Sequence, residues 1–559
     1  MKIASWLAVL LASVATRGAE LDLFVTDYNE NPSREQRPLV ERPRAFSNPR
    51  EVVVTTADGK KETFGSPRSV RVEPQAGGNP REAHIFAARG EREPFSFLLR
   101  PKQALQEVFI HATDLVGPGG KIAASDIVVA SVERFHGGGR DILMPLGRKW
   151  PMPAYSTEFF WYTVHVPREA KAGAYRGKVV VTARGEPVGE LEVVLEVLPF
   201  ELDEPPFALG LNYSSPKDPA ALRAHLGDMR AHGMTSVGPL YNFHLPVHDE
   251  DTSELGAFIE AYKGAGFPAP IYFATPMNLQ LTELAGYGDE TSKRWQLMYI
   301  KVMQRLQREV RRHGVPVIMS IGDEFTNKGI EGVKVAGRLA RFVWEELPEI
   351  ATASDMNGYM EVMAMAPYLN VAAFNNGWDG IDHHNKGRRL INREFITQVR
   401  RLGAIPWFVN GGVGRFPFGF FFWKMAKFGV RGKIEWYYNL RNERGSLVRT
   451  SDTTIYPTLD YERCREGIDD LRYLCMLEAL VARAKKAGRA AAEAAGAEQL
   501  LEKIAEAITD DWTAYRSGGA TFPPEELLGQ LGAGGAMNPN DAVRRAVADQ
   551  IAALLKALR

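Results

Sequence analysis

Two successive patterns of apolar and polar positions divide the chain, and each predicts a different architecture. From about residue 66 to residue 200, short runs rich in Val, Phe and Leu are separated by Gly and Pro turns. Runs such as Glu93–Leu99 and Glu190–Val197 are typical of β-strands, and no long helical period lies between them. This part of the chain therefore predicts an antiparallel β-sandwich.

After Pro206 the pattern changes to a short apolar run followed by an amphipathic helical stretch, and this unit repeats. Several of the predicted helices end at glycine, as at His313–Gly314, where a helix commonly stops. Eight such alternations predict a (β/α)8 barrel. The predicted strands are Ala208–Tyr213, Ser236–Tyr241, Pro270–Ala274, Val317–Ile321, Ala351–Ser354, Val371–Phe374, Pro406–Val409 and Lys433–Tyr437.

The start of the chain resembles an export signal. Lys2 supplies a positive charge, Ile3–Val14 is apolar, and small residues permit cleavage after Ala15 or Ala19. This apolar run is shorter than the ~20 residues that span a bilayer. We therefore expect a protein exported to the periplasm or the cell exterior, without a transmembrane anchor.

These patterns predict a multidomain protein of the α/β plus β class. The expected divisions are a signal peptide over 1–19, a poorly structured segment over 20–65, the β-sandwich over 66–203, the barrel over 204–486 and a C-terminal helical region over 487–559.

Charge and cysteine content limit the partners, disulfides and cofactors that the sequence can be expected to have. The 68 basic and 68 acidic residues give a formal net charge of zero, which does not favour a nucleic-acid partner. Cys464 and Cys475, the two cysteines, fall eleven positions apart in one predicted helix, too far for a disulfide. No His or Cys cluster has ligand spacing, so we expect neither a metal nor a cofactor.

The candidate chemistry lies at the carboxyl ends of the predicted barrel strands, where such barrels place catalytic residues. Asp323 and Glu324 are adjacent and end the fourth strand. Carboxylates at this position suit glycoside hydrolysis, and amides and aromatic rings at other strand ends suit sugar binding. The candidate substrate-binding residues are Asn212, Tyr241, Asn242, Asn375, Trp378, Trp436, Tyr437 and Asn439.

Glycoside hydrolysis normally uses two carboxyl groups on opposite sides of the scissile bond. The seventh predicted strand ends in Asn410, without a carboxylate, and Glu435 in the eighth fits a barrel ion pair with Lys433 or Arg431 equally well. Substrate-assisted cleavage, a known exception, removes the need for a protein nucleophile because the 2-acetamido group of the sugar attacks its own anomeric carbon.

The chain resembles glycoside hydrolase family 123, the exo-acting N-acetyl-β-galactosaminidases and their relatives, over about residues 66–485. The resemblance rests on Gly90–Phe97, on Val166–Gly177, on Gly322–Asp323–Glu324 and on a closing-helix segment, Tyr461–Leu474. It implies that Asp323 orients the acetamido group and that Glu324 is the general acid and then the base. The chain departs from the family at Phe325, where proline often follows the pair.

Three functions follow as alternatives. The first is an exported exo-β-N-acetylhexosaminidase that acts on a glycan, with substrate-assisted retention. The second is a glycosidase that keeps Glu324 as the acid and uses a distant carboxylate, Asp355 or Glu435. The third is a non-catalytic carbohydrate-binding protein with a degenerate barrel. In the closing helix, we expect Glu466, Asp469, Asp470 and Arg472 to support the fold through ion pairs.

Overall fold

A computed structural model describes most of the chain. The described residues are 21–28, 52–55, 61–64, 66–67, 81–134, 140–239, 243–279, 283–377, 389–440, 445–451, 453–534 and 538–559. The predicted signal peptide lies outside them.

Two large sheets and one two-stranded sheet make up the described part of the N-terminal region. One large sheet has the strand order β1-β6-β13-β10-β11, with β4 beside β10. The other has the order β12-β7-β14-β15-β5, with β8 beside β14 and β9 beside β8. In the two-stranded sheet, β2 pairs with β3. The strands are β1 (Leu21–Thr26), β2 (Val52–Thr55), β3 (Lys61–Phe64), β4 (Ser66–Pro67), β5 (Glu82–Arg89), β6 (Arg92–Pro101), β7 (Leu105–Ala112), β8 (Leu115–Gly117), β9 (Gly120–Ile122), β10 (Ile127–Arg134), β11 (Ile142–Pro145), β12 (Trp150–Met152), β13 (Glu158–His165), β14 (Gly173–Ala183) and β15 (Glu186–Glu201).

Both large sheets contribute to one cluster of buried hydrophobic side chains, which includes Phe97 and Phe160 of the first sheet and Val179 and Leu191 of the second. The pairing is antiparallel as predicted, with one exception, because β5 runs parallel to β15. A second difference concerns the segment 20–65, for which the sequence predicted little structure. Leu21–Thr26 is an edge strand there, since its alternate apolar side chains are buried against β6.

Eight parallel strands follow in a TIM-like sheet, as the alternating pattern predicted. Each strand pairs with its neighbours in the sequence, except that β17 and β18 are not paired as strands, and β23 pairs with β16. Between β17 and β18, Tyr272 N donates to Val237 O and Ala274 N donates to Pro239 O, which joins these two strands. The strands are β16 (Ala208–Tyr213), β17 (Gly238–Pro239), β18 (Ile271–Phe273), β19 (Val317–Asp323), β20 (Thr352–Met356), β21 (Val371–Phe374), β22 (Ile405–Val409) and β23 (Gly432–Glu435).

Helices surround this sheet, and local capping sets their ends. Asp218 accepts a hydrogen bond from Ala221 N at the start of α1, and Pro219 takes the first helical position. Gly314 ends α3 with a φ of 67°, a left-handed conformation that favours glycine. The helices are α1 (Pro219–Ala231), α2 (Ser253–Gly264), α3 (Lys293–His313), α4 (Gly329–Glu346), α5 (Tyr359–Met365), α6 (Arg393–Arg401), α7 (Arg415–Phe418) and α8 (Phe420–Lys427).

The chain ends in a helical region, also as predicted, after a hairpin of β24 (Val448–Ser451) and β25 (Thr454–Pro457). The long α9 holds both cysteines, which are free. Among the described residues, no helix is long and apolar enough to cross a membrane. The remaining helices are α9 (Leu459–Ala487), α10 (Ala491–Glu506), α11 (Trp512–Arg516), α12 (Glu525–Gln530) and α13 (Pro539–Ala557).

Ion pairs on α9 agree with the structural role expected of its acidic segment. Arg472 Nη1 lies 2.8 Å from Asp469 Oδ1 within the helix. Asp470 and Glu466 pair with arginines of α7 and α13. The buried acids of α9 therefore connect the barrel to the C-terminal region.

Candidate active site

The adjacent carboxylates lie where the fourth barrel strand ends. Asp323 is the last residue of β19, and Glu324 leaves the strand in a left-handed conformation with φ 45° and ψ 49°. This conformation costs a residue with a side chain roughly 1–2 kcal/mol. It turns the chain directly from the strand into a 3₁₀ turn, Phe325–Lys328.

A buried glutamate holds this turn in place. Glu361 accepts hydrogen bonds from Phe325 N at 2.7 Å and from Thr326 Oγ1 at 2.8 Å. Its burial raises the pKa of Glu361 to about 7. Proline at position 325 would lack the N–H that Glu361 accepts, so phenylalanine suits this version of the turn. The Phe325 ring also covers Gly322, where a Cβ atom would lie only 2.3 Å from the ring.

Amide side chains orient the carboxylate of Glu324. Asn375 Nδ2 donates to Oε1 at 3.3 Å, and Asn327 Nδ2 donates to Oε2 at 3.0 Å. Asn357 Nδ2 in turn donates to Asn327 Oδ1 at 3.0 Å. The structure therefore brings together Glu324 and Asn375, two residues that sequence reasoning placed in the site. It adds Asn327, which lies beyond any predicted strand end.

A second carboxyl group, Asp355 of β20, lies opposite Asp323 in the sheet register. Asp355 is 6% exposed, and the Tyr272 hydroxyl donates to its Oδ1. Burial, followed by the negative charge of Asp323, raises the pKa of Asp355 well above its usual range. This shift disfavours the charged carboxylate that a nucleophile needs, which makes Asp355 a weak candidate for that role.

Glu435, the other distant carboxylate, is paired. Lys433 Nζ lies 2.8 Å from Glu435 Oε2, and both side chains are almost fully buried. This geometry agrees with the barrel ion pair that the sequence offered as one interpretation of Glu435. Its charge is balanced within the wall of the barrel.

A pocket of about 470 Å³ opens at the carboxyl ends of β21, β22 and β23. Asn375 links this pocket to Glu324 because the asparagine contacts both. Two residues predicted to bind substrate, Asn375 and Trp436, line it. Three further wall residues come from other regions and carry no periodic or motif signal that would reveal them in the sequence: Arg140, Trp512 and Arg516.

Three other predicted binding residues, Asn212, Tyr437 and Asn439, do not line this pocket. Asn212 and Asn439 are 2% and 7% exposed, and Asn439 accepts from Ser214 N at 3.3 Å. Their role in binding stays a prediction. Tyr437 is buried beside Trp436, with the two ring centroids 4.8 Å apart. Tyr241, Asn242 and Trp378 fall outside the described residues.

Comparisons with known proteins give a likeness in structure and none in sequence. No family model and no curated protein matches the chain. A family 123 glycoside hydrolase from Clostridium perfringens, solved in a study of glycolipid glycan hydrolysis, superposes with a TM-score of 0.57 at 13% identity, covering 86% of this chain and 95% of that one.

The chain has the fold of this family 123 glycoside hydrolase. The resemblance noted in the sequence is thus confirmed at the level of the fold. A family 39 glycoside hydrolase from Bacteroides cellulosilyticus matches with a TM-score of 0.36 at 12% identity, covering 65% of this chain and 81% of that one. A Bacteroides ovatus family 5 xyloglucanase matches with a TM-score of 0.31 at 9% identity, covering 70% of this chain and 98% of that one.

Proposed function

We propose that this chain is an exported glycoside hydrolase that removes a terminal β-linked N-acetylhexosamine, most simply N-acetylgalactosamine, by substrate-assisted catalysis with retention. The observation that carries the proposal is the adjacent Asp323–Glu324 pair at the end of the fourth strand. The fold shared with a glycan-cleaving family 123 enzyme supports it, and the apolar Ile3–Val14 segment supports export.

In this mechanism each carboxyl group has one role. Asp323 accepts a hydrogen bond from the acetamido N–H and stabilises positive charge as the acetamido oxygen attacks the anomeric carbon. Glu324 gives its proton to the departing glycosidic oxygen while the bond to the anomeric carbon breaks. The resulting carboxylate then takes a proton from water, which opens the oxazolinium ring and restores the acetamide with retained configuration.

The surroundings of the pair favour this mechanism over a distant nucleophile. At the strand ends that the structure describes, the further carboxyl groups are Asp355, whose raised pKa disfavours the charged form, and Glu435, which is paired with Lys433. A non-catalytic role is also less favoured, because among the residues that the structure describes Glu324 accepts hydrogen bonds from amides and pairs with no cation.

Replacing Asp323 by asparagine should lower kcat about 100-fold or more on an aryl N-acetyl-β-galactosaminide, because the acetamido group loses its charged partner in the transition state. A panel of nitrophenyl glycosides with and without the 2-acetamido group measures this effect, and the parent should hydrolyse only the acetamido sugars. Full activity of D323N, or parent activity on sugars without the acetamide, would contradict the assisted mechanism.

Replacing Asp355 by asparagine should change kcat less than about threefold, under 1 kcal/mol in the barrier, since asparagine resembles the uncharged form that burial favours. A nucleophile at this position would instead lose nearly all activity. The raised pKa of Asp355 also predicts that the parent protein loses stability as the pH rises from the usual carboxyl range through this raised pKa. The melting temperature of D355N should therefore fall less than that of the parent over the same rise in pH. Asp355→Leu, which removes the acceptor for Tyr272, should cost roughly 1–3 kcal/mol of stability.

A further inference from the structure

The C-terminal helical region supplies one wall of the pocket beside the candidate catalytic pair. Trp512 N donates to Ile391 O at 3.1 Å, and Asn376 Nδ2 donates to Thr513 Oγ1 at 3.0 Å. These bonds attach α11 to the end of the barrel. Gly412 admits the indole of Trp512, because a Cβ atom there would lie 2.7 Å from the ring.

The spacing within α11 explains how two of its residues reach the pocket. Trp512 and Arg516 are four positions apart, so they share one face of the helix. Both line the pocket, and Trp436 lines it from the end of β23. Indole rings suit the apolar face of a sugar. An arginine that lines the same pocket adds a positive charge that can distinguish anionic from neutral substrates.

The charged groups on this pocket wall are two arginines and one glutamate. Arg140 reaches the wall from the N-terminal region. Its Nε donates to Gly445 O at 2.9 Å, and its Nη1 pairs with Asp460 of α9. These contacts fix the guanidinium of Arg140 and balance its charge, as Lys433 balances the charge of Glu435. The guanidinium fork of Arg516 matches the paired oxygens of a sulfate or a carboxylate.

We propose that this pocket selects glycans that carry an anionic substituent, a sulfate ester or a carboxylate, which Arg516 binds. The proposal rests on the glycosidase function proposed above, since it takes the pocket to hold part of the glycan. It makes Arg516 a specificity-determining residue that comes from outside the barrel.

The test compares three substrates: an aryl N-acetyl-β-galactosaminide, its 6-O-sulfate, and a disaccharide in which N-acetylgalactosamine is linked to glucuronic acid. The parent should have a higher kcat/KM for at least one anionic substrate than for the neutral one. The preferred anionic substrate identifies the group that the pocket binds, a sulfate ester or a carboxylate. Arg516→Gln should lower the ratio of anionic to neutral kcat/KM at least about tenfold, the loss of one charge-assisted pair. Arg516→Lys should restore part of the ratio.

Arg483→Gln is the matched control, because it makes the same change in charge at an exposed position of α9, away from the pocket. Its ratio should equal that of the parent. If the parent prefers the neutral substrate, or if R516Q leaves the ratio unchanged, the anionic selection is wrong while the glycosidase function stands.

If the parent cleaves none of the three, the proposed function fails, and calorimetric titration with N-acetylgalactosamine 6-sulfate and the intact disaccharide then decides the inference. Weaker binding of either anionic ligand by R516Q than by R483Q supports the inference. Equal binding, or no binding of either by the parent, overturns it.

Discussion

Glu324→Gln should lower kcat/KM for a natural glycan by about 10²- to 10⁴-fold, the usual contribution of a general acid. Glutamine keeps the side-chain shape and an oxygen that accepts the hydrogen bond from Asn375, but it has no acidic proton to give. A glycosidic oxygen of an ordinary sugar is a poor leaving group and needs that proton. A dinitrophenolate leaves readily without it, so the loss on an aryl substrate with that leaving group should be much smaller.

The measurement is kcat/KM over a series of leaving groups, because this ratio reports the step that breaks the glycosidic bond. The variant should depend on leaving-group acidity far more steeply than the parent. Glu331→Gln is the matched control, since Glu331 lies exposed at the start of α4 and pairs with Lys334 at the surface. An equal loss on all leaving groups, or a loss of the same size in E331Q, would remove Glu324 from the role of acid.

The barrel is accessible to sequence reasoning because each of its strands is a short apolar run ended by polar residues. Ala208–Tyr213 and Val371–Phe374 form strands with the predicted bounds, and the observed β19 extends the prediction through Asp323. Counting strands then places the Asp323–Glu324 pair at the mouth of the barrel. Because barrel enzymes place their catalytic residues at this edge, the position of the pair identifies it as a candidate active site.

Contacts between distant parts of the chain leave no comparable trace in the sequence. Arg140, Trp512 and Arg516 meet at one pocket although more than 370 residues separate the first from the second. The raised pKa of Asp355 has the same origin, since it comes from burial and from its neighbour in the sheet. The sequence placed Asp355 at a strand end but could not distinguish a nucleophile from a carboxyl group whose pKa is raised.

A larger example of such distant contacts is the buried ionic cluster around Arg544 of α13. Its guanidinium lies 2.9 Å from Glu466 and 2.6 Å from Asp470 of α9, and 3.1 Å from Glu93 of β6. Arg544 and these acids are essentially inaccessible to solvent. Burial raises the pKa of Glu93 well above its usual range, while Arg544 opposes the shift. One arginine therefore connects the N-terminal sheets, the closing helix and the C-terminal region.

Arg544→Met should lower the free energy of unfolding by about 3–5 kcal/mol, because it leaves buried carboxylates without their partner. Arg545→Met is the matched control on the next residue: Arg545 is 38% exposed and pairs at the surface with Glu196, so its loss should cost no more than about 1 kcal/mol. Hydrogen exchange of α13, together with thermal unfolding, measures both. The cost of R544M should also grow with pH, since a carboxyl group whose pKa is raised by burial destabilises the fold once it is deprotonated. If R544M costs no more than R545M, or costs more in acid than at neutral pH, the cluster does not hold the three regions together.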